Sequence, residues 1–366
     1  MAKCTNILLD DDILLFQILP RMRARSLGRF KCVCKQWRSF LTTPMFTKMH
    51  LEHVNNQNYH KQLVVSTTKP WRYFRTINCE TPEVGLFSNR SLPFKANSNE
   101  ISIISSLNGL VCVGIDYLQR HSHRYSDIIL WNPLTGDHKT LSKDNFDDNC
   151  FTIPARGYGF YYSCCDDDYK LLRTTQSGHA YIYSLNSDSW RKVESTSCRL
   201  LEDMNSSCLL NENLYLFGQG KTKMDVWSDL IIRFDTKAET FTKIAAPSLE
   251  NVLLRCFSLT VVNGCIHLCV SLVGIKSPDK LELWKMDGDG EWTKVLSCCH
   301  RLSKCDFYQP LHVMKNGNWL VGSIRNGYVY EVDLEMKTTK NVCTPTDGPM
   351  DFLRGGKFVE TIVSLN

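Results

Sequence analysis

Residues 128–136 read Ile128-Ile129-Leu130-Trp131-Asn132-Pro133-Leu134-Thr135-Gly136, a branched apolar run that ends on an aromatic and passes directly into a turn. β-Branched and aromatic side chains suit a pleated, half-buried surface, and Asn, Pro and Gly suit the turn that closes it. The pattern returns as YIYSLNSDSWRKV (181–193), IIRFDTKAETFTKI (231–244), LELWKMDGDGEWTKV (281–295) and YVYEVDLEMKTTKNV (328–342). Taking Asn132, Asn186, Asp235, Asp287 and Asp333 as turn anchors gives steps of 54, 49, 52 and 46 residues. A period of about 50 residues with several short strands per unit is propeller-like.

Working outward, Asn108-Gly109, Asn211 and Asn263-Gly264 each precede an anchor by 24 residues and predict an earlier hairpin turn in those units. The last unit departs, with Asn316-Gly317 only 17 residues before Asp333, and the second has Tyr162 where Asn is expected. The anchors read as turn formers, and Trp131, Trp190, Trp284 and Trp292 as packing residues at equivalent positions. Residues 60–105 can hold another blade, and the run 358–365 (FVETIVSL) is suited to close the ring against an early strand. About six blades are expected, with a period close to that of kelch repeats.

The first 52 residues differ in kind. Leu14, Leu15, Ile18, Leu19 and Met22 recur at helical spacing after Asp10, Asp11 and Asp12, which suit a helix start. Ser26 is placed to cap a second helix carrying Leu27, Phe30, Val33 or Cys34, Trp37 and Leu41 on one face, with Pro44 as its stop. Nine basic residues against four acids give this segment a charge of +5, while the remaining chain is neutral. Two or three short helices bury too little to be comfortable alone, so their apolar stripe predicts a partner helix or docking on the rest of the chain.

The run DDILLFQILPRMRARSLGRFKCVCKQWRSFLTTPMF (11–46) resembles the F-box, especially in plants, where the second half follows the pattern seen here from Ser26 to Ser39. Downstream, LNGLVCV, LWNPLTG, YGFYYSCCDDDYKLL, FDTKAETFTKI and ETIVSL resemble the kelch-related domain associated with that F-box. Two family prolines are absent, Leu9-Asp10 and Arg23-Ala24-Arg25 standing in their place. The resemblance implies a small all-α F-box of about three helices over residues 1–52, then an all-β kelch-like propeller of about six blades over 53–366. It further implies the substrate-recognition adaptor of a Skp-cullin-F-box ubiquitin ligase, which performs no bond chemistry. Its partners would be a Skp-type adaptor, through it a cullin, and a target protein. Leu14, Leu15, Ile18, Leu19, Leu27, Phe30, Val33, Cys34 and Trp37 would carry the adaptor contact or the module's own packing. The competing expectations are a ligase-independent scaffold and a nucleic-acid binder using the basic helices, the latter without a stacking platform or reading motif.

The composition, 43% hydrophobic and 22% charged over 366 residues, excludes disorder as the main state. No apolar stretch approaches the roughly 18 residues of a membrane span, and no signal peptide is recognised, which predicts a cytoplasmic or nuclear protein. The 17 cysteines contain no Cys-x-x-Cys pair and are expected to be reduced, mostly buried thiols. Neither catalytic motifs nor a cofactor fingerprint is present. Asp287–Glu291 lacks the glycine and glutamate of a calcium loop, Asp166–Asp168 reads as a hairpin turn, and Cys298-Cys299-His300 with His312 lacks a second ligand pair for zinc. Arg120, His121, His123 and Arg124, in a loop between two strands, are the best pointer to a substrate surface.

Overall fold

The computed structural model describes residues 11–56, 61–66, 73–78, 90–93, 100–116, 127–142, 155–175, 178–200, 207–221, 227–249, 254–273, 280–288, 290–299, 308–323, 328–343 and 353–365. The helical part opens with α1 (Asp11–Ile13), which runs on as π-helix over Leu14–Ile18 and as 3-10 helix over Leu19–Arg21. There follow α2 (Ala24–Phe30), α3 (Lys35–Leu41) and α4 (Pro44–Asn56). The helix expected from Ser26 to Leu41 is thus two helices. Cys34 is extended (φ −155°, ψ 166°) and its Sγ accepts from the Trp37 amide at 3.4 Å, so it caps α3. Arg23 occupies the cap of α2 without a side-chain bond, in place of the expected Ser26. Pro44 starts a helix where a stop was expected, because a first-turn residue needs no N–H; Thr43 Oγ1 accepts from the Phe46 amide at 3.2 Å.

Five four- or five-strand sheets each use a continuous stretch of chain. Blade II comprises Glu100–Leu107, Leu110–Asp116, Asp127–Trp131 and His138–Thr140. Blade III comprises Ala155–Ser163, Asp168–Thr175, Ala180–Ser184 and Ser189–Val193. In blade IV, Arg199–Leu200 and Ser207–Leu210 both pair with Asn213–Lys221, followed by Trp227–Asp235 and Thr240–Ala245. Blade V spans Leu254–Val262 to Trp292–Cys299, and blade VI Tyr308–Val313 to Thr338–Cys343. The remaining sheet, blade I, is composite: Leu353–Phe358 pairs with Lys61–Ser66, which pairs with Tyr73–Asn78 and that with Arg90–Ser91. The expected six or so blades therefore resolve into five contiguous blades and one sheet shared by both ends of the chain. Each innermost strand neighbours the next around a closed ring.

All pairings within a blade are antiparallel, so the first–second and third–fourth hairpins emerge at one end of the strands. The first hairpins of blades II, IV and V are tight turns whose left-handed residues are Asn108-Gly109, Asn211-Glu212 and Asn263-Gly264, as their spacing predicts. Blade III differs because its strand continues through Tyr162 to Ser163 and turns over residues 164–167, with Asp167 at φ 51°. In the second hairpins, Oδ1 of Asn132, Asp235 and Asp333 accepts from the amides two and three residues ahead. Asn186 does not do this. Ser184 ends the third strand of blade III and takes the Ser187 amide on its Oγ, so the physical anchor lies two residues earlier.

Trp190 and Trp292 stand at the start of the outer strands of blades III and V, second and first residue respectively, and each Nε1 donates at 2.8 Å to a carbonyl of the preceding blade, Ser142 and Ala245. Trp131 is fully buried, whereas the ring of Trp284 lies under the Lys294 ammonium. Of nine free cysteines described, only Cys112, Cys198 and Cys269 are buried. Among these nine the thiols are not mostly buried, because Cys32, Cys34, Cys164 and Cys165 stand in breaks and turns. No helix among the described residues is long and apolar enough to cross a membrane.

Candidate functional site

Two features lie at the hairpin end of the ring. The first is the helical module, whose core is Leu19, Ala24, Leu27, Leu41 and Phe46, with Leu15, Met22, Phe30, Trp37 and Phe40 half-buried around it. Aromatic edges tie this core together: Phe30 meets Trp37 at 5.5 Å, Phe16 meets Phe40 at 5.4 Å and Phe40 meets Phe46 at 5.2 Å, all edge to face. His50 is buried in α4 and its Nε2–H donates to the Met22 carbonyl at 3.1 Å. Burial holds its pKa down at about 4, the Met22 bond opposing and His53 adding to the shift. It is therefore neutral at pH 7.

The structure sorts the nine residues expected at the adaptor contact. Leu19 and Leu27 are internal, at 1% and 0% exposure; Leu14, Leu15, Phe30 and Trp37 are half-buried; Ile18, Val33 and Cys34 are exposed. Seven large apolar side chains stand exposed among the described residues, and five of them belong to the helical module: Ile13, Phe16, Ile18, Met45 and, in the turn between α2 and α3, Val33. Ile13, Phe16 and Met45 escaped the sequence reading, since helical periodicity finds an apolar stripe without telling which members a neighbouring helix covers. Arg21, Arg23, Arg25, Arg29, Lys35, Arg38 and Lys48 are exposed on the same module, so it presents apolar groups among positive charge.

The helices rest on blade II. Leu134, from its second hairpin, joins the helical core, and Leu51 of α4 packs with the cluster between blades II and III. Burial lowers the pKa of Lys31, with Asp137 of the same hairpin acting in the opposite sense. Arg25 and Glu360 form an ion pair at 2.8 Å.

The second feature is a polar cleft of about 670 Å³ where the hairpins of blades III and IV meet. Lys170 pairs with Asp166, Arg191 crosses from blade III to Glu239 of blade IV, and Lys237 meets Glu212 at 2.7 Å. Asp168 is buried and accepts from Ser184 Oγ at 2.6 Å and the Asn186 amide at 3.0 Å. The Lys170 and Ser163 hydrogen bonds hold the Asp166 carboxyl below its ordinary pKa, and the Glu239 carboxylate raises that of Arg191. These charges are mutually satisfied. No group of three potential metal ligands occurs among the described residues, and Asp166–Asp168 serves its turn.

A family model described as an F-box associated beta propeller domain matches residues 60–343, and one described as an F-box domain matches residues 8–49. The chain belongs to the F-box family with an associated β-propeller. An F-box/kelch-repeat protein of Arabidopsis thaliana is 26% identical over 317 residues, covering 81% of this chain and 80% of that relative. The F-box protein ETP1 of Arabidopsis thaliana is 27% identical over 304 residues, covering 77% and 72% respectively. The F-box is thus the helical module, and the associated domain is the ring. Arg120, His121, His123 and Arg124 lie outside the described residues. They connect Leu110–Asp116 to Asp127–Trp131, whose joining ends face away from the hairpins on which the F-box rests.

Proposed function

We propose that this chain is the target-binding subunit of a Skp-cullin-F-box ubiquitin ligase, docking a Skp-type adaptor through its helices and a target protein through its propeller. The observation that carries this reading is the concentration of exposed apolar side chains on a basic helical module: five of the seven among the described residues stand there, against Val295 and Met336 on the blades. Exposed apolar patches mark interaction surfaces, and surrounding positive charge suits an acidic partner and speeds encounter. Ile18 and Val33, with Ile13, Phe16 and Met45 of the same module, would meet the adaptor directly, while Leu19 and Leu27 would act by shaping the module. The connections at the far end of the blades, including residues 117–126, would hold the target. Tethering raises the effective concentration of target lysines near the conjugating enzyme without any chemistry by this subunit.

The test is the affinity of the full chain for a purified Skp-type adaptor. Val33→Glu and Phe16→Glu should each weaken binding at least tenfold, since both place a charge in a surface meant to be desolvated. Met336→Glu, at a still more exposed apolar position on blade VI, should leave it unchanged. Equal affinities for all three, or no binding by the folded parent, would refute the proposal. Sequence-independent nucleic-acid binding that moderate salt abolishes would instead favour the basic-helix alternative.

A further inference from the structure

Beyond Phe358, which packs with Ile103, Val111 and Trp131 of blade II, the chain runs between the ring and the F-box instead of leaving the molecule. Its side chains alternate, as an extended segment requires. Ile362, 3% exposed, enters the helical core beside Leu19, Leu27, Leu41 and Phe46. Val363 and Leu365 enter the cluster between blades II and III, which also receives Leu51 of α4. Polar groups fix the register. Buried Asn132 donates to the carbonyls of Thr361 at 3.1 Å and Val363 at 2.7 Å, and Thr361 Oγ1 donates to the Asn108 carbonyl at 2.8 Å. Glu360 takes two bonds from Arg25 of α2, at 2.8 and 3.2 Å.

The F-box core is therefore completed by the opposite end of the chain. We infer that residues 359–365 form a strap that keeps the helices in adaptor-binding shape and in a fixed orientation to the propeller, with Ile362 as its principal positioning residue. This rests on the adaptor reading above. A few short helices have too little apolar area to remain ordered alone, and Ile362 with Leu134 supplies what they lack. When the binding-competent state is only partly populated, apparent affinity falls in proportion to that fraction. Loosening the strap should then weaken adaptor binding without touching any residue that the adaptor meets. A fixed orientation also sets where a target on the far end of the blades stands relative to the ligase.

The experiment follows hydrogen exchange by mass spectrometry on the full chain, alongside affinity for a purified Skp-type adaptor. Ile362→Asp should speed exchange across residues 11–56, leave blades IV and V protected, and lower affinity at least tenfold. Ile362→Ala should shift both readouts in the same direction by less, and it serves if the aspartate variant does not fold. Val33→Glu should lower affinity with helix exchange unchanged, separating contact from positioning. Unchanged exchange and affinity in both Ile362 variants would overturn the strap. If a parent chain with protected helices bound no Skp-type adaptor, the proposed function would fall, and with it the strap's role in binding. Selective loss of helix protection in Ile362→Asp would then show the strap's structural effect by itself.

Discussion

His50 and Asn132 show how much of the junction between F-box and propeller hangs on single buried polar groups. With a pKa of about 4 when folded against an ordinary 6.5, His50 favours the neutral ring, so the folded state binds fewer protons than the unfolded one between those values. Its stabilising contribution is whole above pH 6.5 and is lost as pH falls toward 4, amounting to about 3 kcal/mol across the window. Thermal unfolding followed by circular dichroism at 222 nm should show a drop in Tm from pH 7 to pH 5 that shrinks in His50→Gln, which keeps a donor for Met22 but cannot titrate. An equal drop in both proteins would clear His50 of the effect. The Asn132 side chain makes four hydrogen bonds, two of them to strap carbonyls. Asn132→Ala leaves those carbonyls buried without their donor and should cost about 2–4 kcal/mol in urea unfolding; Asn132→Asp, which accepts but cannot donate, should be no better. A loss under about 0.5 kcal/mol would mean that water replaces the amide.

At the scale of elements, the tight hairpins carry different loads despite a common sequence. Gly109 and Gly264 follow asparagines in equivalent turns, at φ 80° and 71°. A Cβ on Gly264 would meet open space, whereas one on Gly109 would lie 2.1 Å from Thr361 Oγ1 and 2.7 Å from the Val359 carbonyl. Gly264→Ala should therefore cost only the left-handed strain, about 1 kcal/mol, and Gly109→Ala about 3 kcal/mol or more because the strap must move. Equal losses in chemical denaturation would mean that the strap yields freely. The repeat was legible in the sequence because each unit writes its own turn chemistry locally, as the aligned Asn132, Asp235 and Asp333 attest. Ser184 was missed as an anchor because Asn186, a better turn former in isolation, lies two residues away. Pro44 misled for a related reason, since proline suits the start of a helix as well as the stretch beyond its end. The exposed Ile13 and Met45, and the burial of Leu19 and Leu27, depend on how four helices stack and on a strand from the far end of the chain. Periodicity within one segment has no access to either. The target surface proposed at Arg120, His121, His123 and Arg124 was legible only as a connection between strands, and those residues fall outside the ones described.

For the molecule as a whole, the end of the chain performs two separable tasks in sequence. Leu353–Phe358 is the inner strand of blade I, pairing with Lys61–Ser66 and bringing the ring to closure between blades VI and II. Residues 359–365 then strap down the F-box. Ending the chain after Phe358 removes Ile362, Val363 and Leu365 from their clusters but leaves every blade its strands, so the ring should survive while the helices lose protection. Ending it after Met350 removes the inner strand as well, exposing the edge of Lys61–Ser66 and the face of blade II that Phe358 covers. An unpaired edge beside bare apolar surface invites association. The shorter chain should therefore elute as aggregate in size-exclusion chromatography and lose its cooperative thermal transition, and the longer one should remain monomeric with a single transition at lower temperature. Identical behaviour of the two would show that closure and strapping are one cooperative event. In that case the F-box would be an inseparable layer of the propeller, and any target that strained the ring would be felt at the adaptor surface.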